Sequence, residues 1–522
     1  MSLTLFINAK VWQPDGSFYE SFGVKDNHFD FSGSNEQAKS ISDEYDEVID
    51  LKNKLVLPGI IDGHLHLVYG SQMRKRLDCS SVKNLSTLKQ TLEKYSQANP
   101  KKEWLIGSNL NLSLVASEMN SADEIYSDKP LFIANYDYHS AIANNLAFKL
   151  SGLSEKLNEF NDEQIVKDIN GQPNGIIKEE ALDFVFERLP KATLDEKCKD
   201  VEDMIRVFHS YGITQVTDIT QPEDLEVYKQ LYETGKLKIR INSYLPFEEF
   251  ENLKSHEKFT EAIDKDLFSI KGFKSYYDGA LGSESALFSE NYFGRNHNGQ
   301  RTDFAEKGLL QKLAKEIDKH GYQIIIHAIG DKAVTEVLDL CEEIENENGK
   351  CDRRTRIEHA QHIQEKDFER FKRLNVIASV QPIHLKYDIS TVQKKLPQSI
   401  VNITHNYKHL IINGCTVNFG TDFPIVGVNP FKNIQLAVTR KSDCETFLPD
   451  LKIDLHNCIK AYTINNAYSN FNENACGKIY VDKVSDFVIM EDDLFKMNPD
   501  DLGKAKVWKT YFNGEEVYSN SY

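Results

Sequence analysis

The chain has 522 residues, 40% of them hydrophobic, which is too long for one ordinary small domain and apolar enough to exclude general disorder. Its formal net charge of −18 argues against nucleic acid and anionic membranes as partners, since both need basic patches. The eight cysteines are scattered without a Cys-x-x-Cys pair, which argues against a zinc ribbon or thioredoxin-type site and for the reduced thiols of a cytoplasmic protein. The first residues lack a basic n-region, and no run of about 18 apolar residues offers a membrane span.

Taken in order, residues 1–57 read as short strands and turns: 4–7, 10–12, the turn Pro14-Asp15-Gly16, then 22–24, 48–51 and 55–57. They are expected to form one part of a small β domain. Next comes Pro58-Gly59-Ile60-Ile61-Asp62-Gly63-His64-Leu65-His66. Residues two apart on a strand share a face, so His64 and His66 project together and Leu65 faces away. Two imidazoles on a strand end begin a metal site; without partners they are two histidines near a turn.

Residues about 68–195 read as a large insertion, with helical spacing at 85–95 and 179–189, strands at 104–107 and 130–134, and the turn cluster Gly171-Gln172-Pro173-Asn174-Gly175. From about 196 helices alternate with short apolar strands at 212–218, 237–242, 270–276, 322–327, 356–359, 376–380 and 417–422. With Ile60-Ile61 these make eight strands, the pattern of an α/β fold built as a (β/α)8 TIM barrel over 58–469. An open doubly wound sheet would carry a Gly-rich turn after its first strand, which is absent. Residues 470–522 return to β character, with strands at 485–490 and 507–512 and the hairpin turn Asn513-Gly514. The simplest arrangement is a small β-sandwich domain built from both termini, with the barrel inserted between them.

Functional groups of such barrels lie at the C-terminal ends of the strands. His64 and His66 end the first strand, His327 the fifth, His359 the sixth and Asp422 the eighth. Singly, His327 or Asp422 would serve as a helix cap. Together, these five side chains from four strands favour a metal site, and imidazole with carboxylate suits Zn, Mn or Fe.

The motif at 58–66 resembles the opening motif of the amidohydrolase superfamily. His327-Ala328-Ile329-Gly330-Asp331-Lys332-Ala333, Glu358-His359-Ala360 and Gly420-Thr421-Asp422-Phe423-Pro424 resemble its later metal motifs. The stretch Phe273-Lys274-Ser275-Tyr276-Tyr277-Asp278-Gly279-Ala280-Leu281-Gly282-Ser283 narrows this to amidohydrolase family 3, with its N-substituted formamide deformylase-like metal-dependent hydrolases. Asp137-Tyr138-His139-Ser140-Ala141, Gly175-Ile176-Ile177-Lys178-Glu179 and Ala461-Tyr462-Thr463-Ile464-Asn465-Asn466-Ala467 match the same group.

The resemblance implies one or two divalent metals, Zn foremost, held by His64, His66, His327, His359 and Asp422. Lys274 on the fourth strand is placed to bridge two metals once carboxylated; a salt bridge to Asp278 or a substrate contact is the plainer role. Glu179 competes as a carboxylate bridge, its plainer role being the acid of a helix N-terminus. The reaction implied is metal-assisted hydrolysis of a non-peptide carbon–nitrogen bond in a small amide or formamide. Asp422 acts as proton carrier, His359 or His139 as oxyanion donor, and His139, Asp278 and Glu179 are the substrate-side candidates. Phe273, Tyr276, Tyr277 and the aromatics near Tyr136 and Tyr138 are candidates to line a pocket for an apolar substituent, or are core. A homodimer is a family-level expectation. The rival readings are a mononuclear deaminase of a heterocycle, with Lys274 unmodified, and a silent binding paralogue.

Overall fold

The computed structural model describes residues 3–135, 140–442 and 445–520. They divide into two compact units, 69–200 and the remainder.

The larger unit contains the barrel. Its strands are β1 (Ile60–Leu65), β2 (Ile213–Ile219), β3 (Arg240–Pro246), β4 (Phe268–Tyr276), β5 (Gln323–Ala328), β6 (Arg356–His359), β7 (Ile377–Val380) and β8 (Val417–Phe419). They form one eight-stranded sheet in sequence order, every pair parallel. This is the architecture expected of strand–helix alternation.

Between β8 and β1 the regular ladder stops, and the seam is closed by specific groups. At its upper end the Asp422 N–H donates to the His64 carbonyl (2.7 Å) and the His66 N–H to the Phe423 carbonyl (2.8 Å). Lower down, the Asn466 Nδ2 donates to the carbonyls of Ile61 (2.6 Å) and Phe419 (2.9 Å). Glycine is required on both sides of this approach: a Cβ on Gly420 would lie 2.4 Å from the His64 nitrogen, and one on Gly63 2.8 Å from the Phe419 oxygen. The segment 461–467 thus seals the barrel where two strands cannot pair.

Both chain ends build a β-sandwich beside the barrel. One sheet runs His28–Gly33, Ser21–Lys25, Leu3–Ile7, Glu47–Asp50; the other runs Glu515–Ser519, Val507–Phe512, Phe487–Met490, Leu55–Pro58, Lys10–Trp12, Phe18–Tyr19. Phe6 stacks on Phe22 at 4.7 Å in the first sheet, Phe487 on Tyr511 at 4.4 Å in the second, and Phe6 meets Phe487 edge-on at 5.3 Å between them. Such pairs add about 0.5–1.5 kcal/mol each beyond area burial. Asn513 and Gly514 take positive φ (52° and 75°), the turn their sequence demands.

His209 ties barrel to sandwich. Its ring is buried, donates from Nε2 to the Lys238 carbonyl (2.8 Å) and stacks on Phe512, while its own carbonyl accepts from Thr510 Oγ1 (2.6 Å). Burial pushes its pKa down from 6.5 to about 4. The neutral ring therefore contributes stability that is complete above pH 6.5 and is lost as pH falls through about 4, about 3 kcal/mol in all. Urea melts across that window are expected to show a shallower pH slope in His209→Gln than in the wild type; identical slopes would refute the assignment.

Residues 69–200 form a unit with a six-stranded sheet of their own, in the order Ile165–Lys167, Pro173–Lys178, Ser140–Ala143, Leu131–Asn135, Leu105–Leu110, Leu77–Asp78. Among the described residues no helix is long and apolar enough to cross a membrane.

Candidate metal centre

The upper end of the barrel gathers imidazoles around one carboxylate. Asp422, just past β8, lies with Oδ1 3.4 Å from His64 Nε2 and 3.5 Å from His66 Nε2. These separations are too long for good hydrogen bonds. They match the edge of a tetrahedron with about 2.1 Å arms, roughly 3.4 Å, which is the spacing of ligands around one small cation. The donor set therefore fits a divalent metal. The ring of His359 lies 5.2 Å from that of His64 and 4.6 Å from that of His327.

Two of the ligating rings, His64 and His359, are aimed by a second group. His64 Nδ1 contacts Glu358 Oε2, which leaves Nε2 facing Asp422. Glu358 is held by Arg356 (Nε to Oε1, 2.8 Å), and the Arg356 guanidinium also reaches the Gly63 carbonyl and Ser379 Oγ (2.9 Å). His359 Nδ1 meets Gln381 Oε1 at 2.8 Å, so its Nε2 is the nitrogen left for the site. Asp218, at the end of β2, accepts from the Leu67 N–H (2.6 Å) and from Tyr228 OH (2.6 Å), fixing the chain just after His66. Such outer partners set tautomer and ring orientation.

Burial raises the Glu358 carboxyl, but the Arg356 guanidinium and then His64 hold it well below the usual range. Burial disfavours charge on His64, and the Glu358 carboxylate outweighs it, so His64 moves up. A proton and a cation thus compete for the same nitrogen, and metal affinity rises with pH. Burial and the nearby His327 push His359 down, into the neutral form a ligand needs.

Backbone strain concentrates here. His359, Ala360 and Asp422 have φ of 72°, 42° and 60°, left-handed values that cost non-glycine residues of order 1–3 kcal/mol each. The surrounding packing holds them in a shape that presents His359 and Asp422 to the site.

Lys274 points into the same space from β4, 2% exposed, its Nζ without a hydrogen-bond partner and 4.8 Å above the Tyr276 ring. The salt bridge to Asp278 is not formed. Burial pushes the Lys274 amine down to about 8, against the pull of Glu358 and Asp422. Asp278 is a buried anchor: Oδ2 accepts from the N–H groups of Leu287 (2.9 Å) and Gly330 (3.0 Å), Oδ1 from that of Ile329 (3.0 Å). Its Oδ1 is also 3.2 Å from His327 Nδ1, without hydrogen-bond alignment. These bonds occupy the carboxylate and tie it to the loop after β5. Glu179 belongs to the 69–200 unit, where it is exposed, has φ 48° and precedes the helix Glu180–Phe186. His139, Tyr136 and Tyr138 lie outside the described residues.

Of the three pocket candidates on or next to β4, Phe273 packs edge-on against Phe250 and Tyr322 on the outer side of the barrel, and Tyr277 donates its hydroxyl to Glu336 (2.9 Å). Tyr276 alone stands at the mouth, 44% exposed and 5.5 Å from the His327 ring. Glu358, Arg356 and Gln381 were not anticipated in these roles, nor was His384, whose Nε2 is 3.8 Å from Asp422 Oδ2.

Protein LONG AFTER FAR-RED 3 of Arabidopsis thaliana is 29% identical over 535 residues, spanning 98% of this chain and 91% of its own. N-substituted formamide deformylase of Arthrobacter pascens is 22% identical, spanning 99% and 98%. The crystal structure of an uncharacterized metal-dependent hydrolase from Pyrococcus horikoshii superposes with a TM-score of 0.81 at 24% identity, covering 95% of this chain and 99% of its own. A model of the amidohydrolase family matches residues 47–518, nearly the whole chain from the strand Glu47–Asp50 into the strand Glu515–Ser519, and the protein belongs to that family.

Proposed function

We propose that the protein hydrolyses a non-peptide carbon–nitrogen bond in a small amide or N-substituted formamide, using Zn or a similar divalent cation. The observation that carries this reading is the placement of two imidazole nitrogens, at 3.4 and 3.5 Å, on one oxygen of Asp422. His64, His66, His327, His359 and Asp422 would supply the ligands for one or two such cations. Bound there, such a cation supplies Lewis acidity, acidifying water and polarising the substrate carbonyl.

The chain's own groups do the rest. Burial raises the Asp422 carboxyl, but the His64 and His66 imidazoles facing it more than offset this and hold it well below the usual range, so it is an anion. It takes the proton of the attacking water and delivers it to the leaving nitrogen. His359, with Nδ1 occupied by Gln381, ligates through Nε2 and has no proton left for an oxyanion. Lys274 has the properties that carboxylation requires: a buried, unpartnered amine whose neutral form is accessible near pH 8. As a carbamate it would bridge two cations. Tyr276 at the mouth favours an apolar or aromatic substituent on the substrate nitrogen.

Chelation followed by Zn²⁺ add-back is the test, with N-alkyl and N-aryl formamides, acetamides and heterocyclic amines as the panel. Amine release from a formamide or amide, lost on chelation and restored by metal, is the expected result. Ammonia release from heterocycles alone, with one metal per chain, would give the deaminase reading instead.

A further inference from the structure

His384 has no part in the scheme above, yet it is built into the same site. It sits four residues past the end of β7, in the 3-10 turn Pro382–His384. Its ring lies flat against that of His359, with 18° between planes and centroids 6.0 Å apart. It is buried, and its Nε2 has no hydrogen-bond partner. A buried imidazole nitrogen left without a partner forfeits its solvation unless something binds there. What faces it is Asp422 Oδ2, at 3.8 Å, beyond hydrogen-bond reach.

The two oxygens of Asp422 point to different partners: Oδ1 faces His64 and His66, and Oδ2 faces His384. Two triads of ligand atoms result, His64–His66–Asp422 and His359–His384–Asp422, each with its atoms within 4.8 Å of one another. The second is looser than the roughly 3.4 Å tetrahedral edge, and a side-chain adjustment of about an ångström would close it.

Resting on the metal-dependent reading, we infer that His384 is a ligand of a second cation, which it would hold through Nε2 together with His359 Nε2, beside Asp422 Oδ2, the oxygen left to carry the proton. The second position draws on a residue outside the strand ends, and occupancy of that position does not wait on modification of Lys274.

The test is metal content per chain after reconstitution with Co²⁺, read by elemental analysis alongside the thermal melt and the absorption spectrum. The wild type is expected to hold two equivalents and His384→Asn one, with the melt still cooperative. His384→Cys is expected to recover the second equivalent and to show a thiolate-to-cobalt charge-transfer band that the wild type lacks. Should His384→Asn fail to fold, the His384→Cys spectrum carries the test. Two equivalents in His384→Asn, or two in His384→Cys without the band, overturns the inference. One equivalent in an active wild type also overturns it while leaving the hydrolase reading intact. A wild type that binds no cobalt and loses no activity on chelation overturns both.

Discussion

Asp422→Asn is expected to lower hydrolysis by about three orders of magnitude while leaving the fold in place, the middle of the range for removing a general acid–base group. The amide keeps the shape and an oxygen for the cation but cannot take a proton. The backbone already tolerates position 422 at φ 60°, a conformation asparagine adopts more readily than most residues, so the melt should barely move. The measurement is kcat/KM on the best substrate of the panel, with metal content determined on the same sample. Retained metal with lost turnover supports the proton-carrier role. Retained turnover assigns the proton transfer to another group, and lost metal reduces Asp422 to a ligand.

Glu358→Gln is expected to be the most damaging change outside the cation's reach. It removes the carboxylate that lies between Arg356 and His64, all three of them buried. An uncompensated buried guanidinium costs about 3–5 kcal/mol. The lost partner of His64 should also weaken metal binding about 10–100-fold. Arg356→Met with Glu358→Gln should recover stability relative to Glu358→Gln alone, because the stranded charge is gone, but should not recover metal affinity. A urea melt and a competitive metal titration on the three proteins separate the two effects. Unchanged affinity in Glu358→Gln would show that His64 needs no such orienting partner.

The barrel was legible because each strand carries its own local signal, an apolar run bounded by turn residues and followed by a helix. Edges were less so. The strand expected at 237–242 runs Arg240–Pro246, since its register is fixed by Gln215↔Arg240 pairing with β2 and not by its own pattern. The strand expected at 417–422 stops at Phe419, where the chain leaves its ladder to cross to β1. The histidines at strand ends could be read because the barrel rule says where to look. His384 could not, since it comes from a turn beyond the strand end. Glu358 was visible only as the neighbour of His359. Its meaning depends on His64, 294 positions away, and on Arg356 beneath it, a pairing no local window contains. The resemblance made Asp278 a substrate-side candidate; that its carboxylate accepts from three backbone amides of later loops is a pairing no local window contains. Within 69–200 single strands were evident, but a six-stranded sheet with both parallel and antiparallel neighbours is a property of pairings across the unit.

The strand Leu55–Pro58 lies between Lys10–Trp12 and Phe487–Met490, and one residue later the chain enters β1. The nascent polypeptide therefore presents His64 and His66 early, with one flank of their supporting strand bare until Phe487–Met490 has been made. Asp422 and the Asn466 plug also arrive hundreds of codons after them. A chain that stops before residue 466 lacks the side chain that closes the seam between β8 and β1.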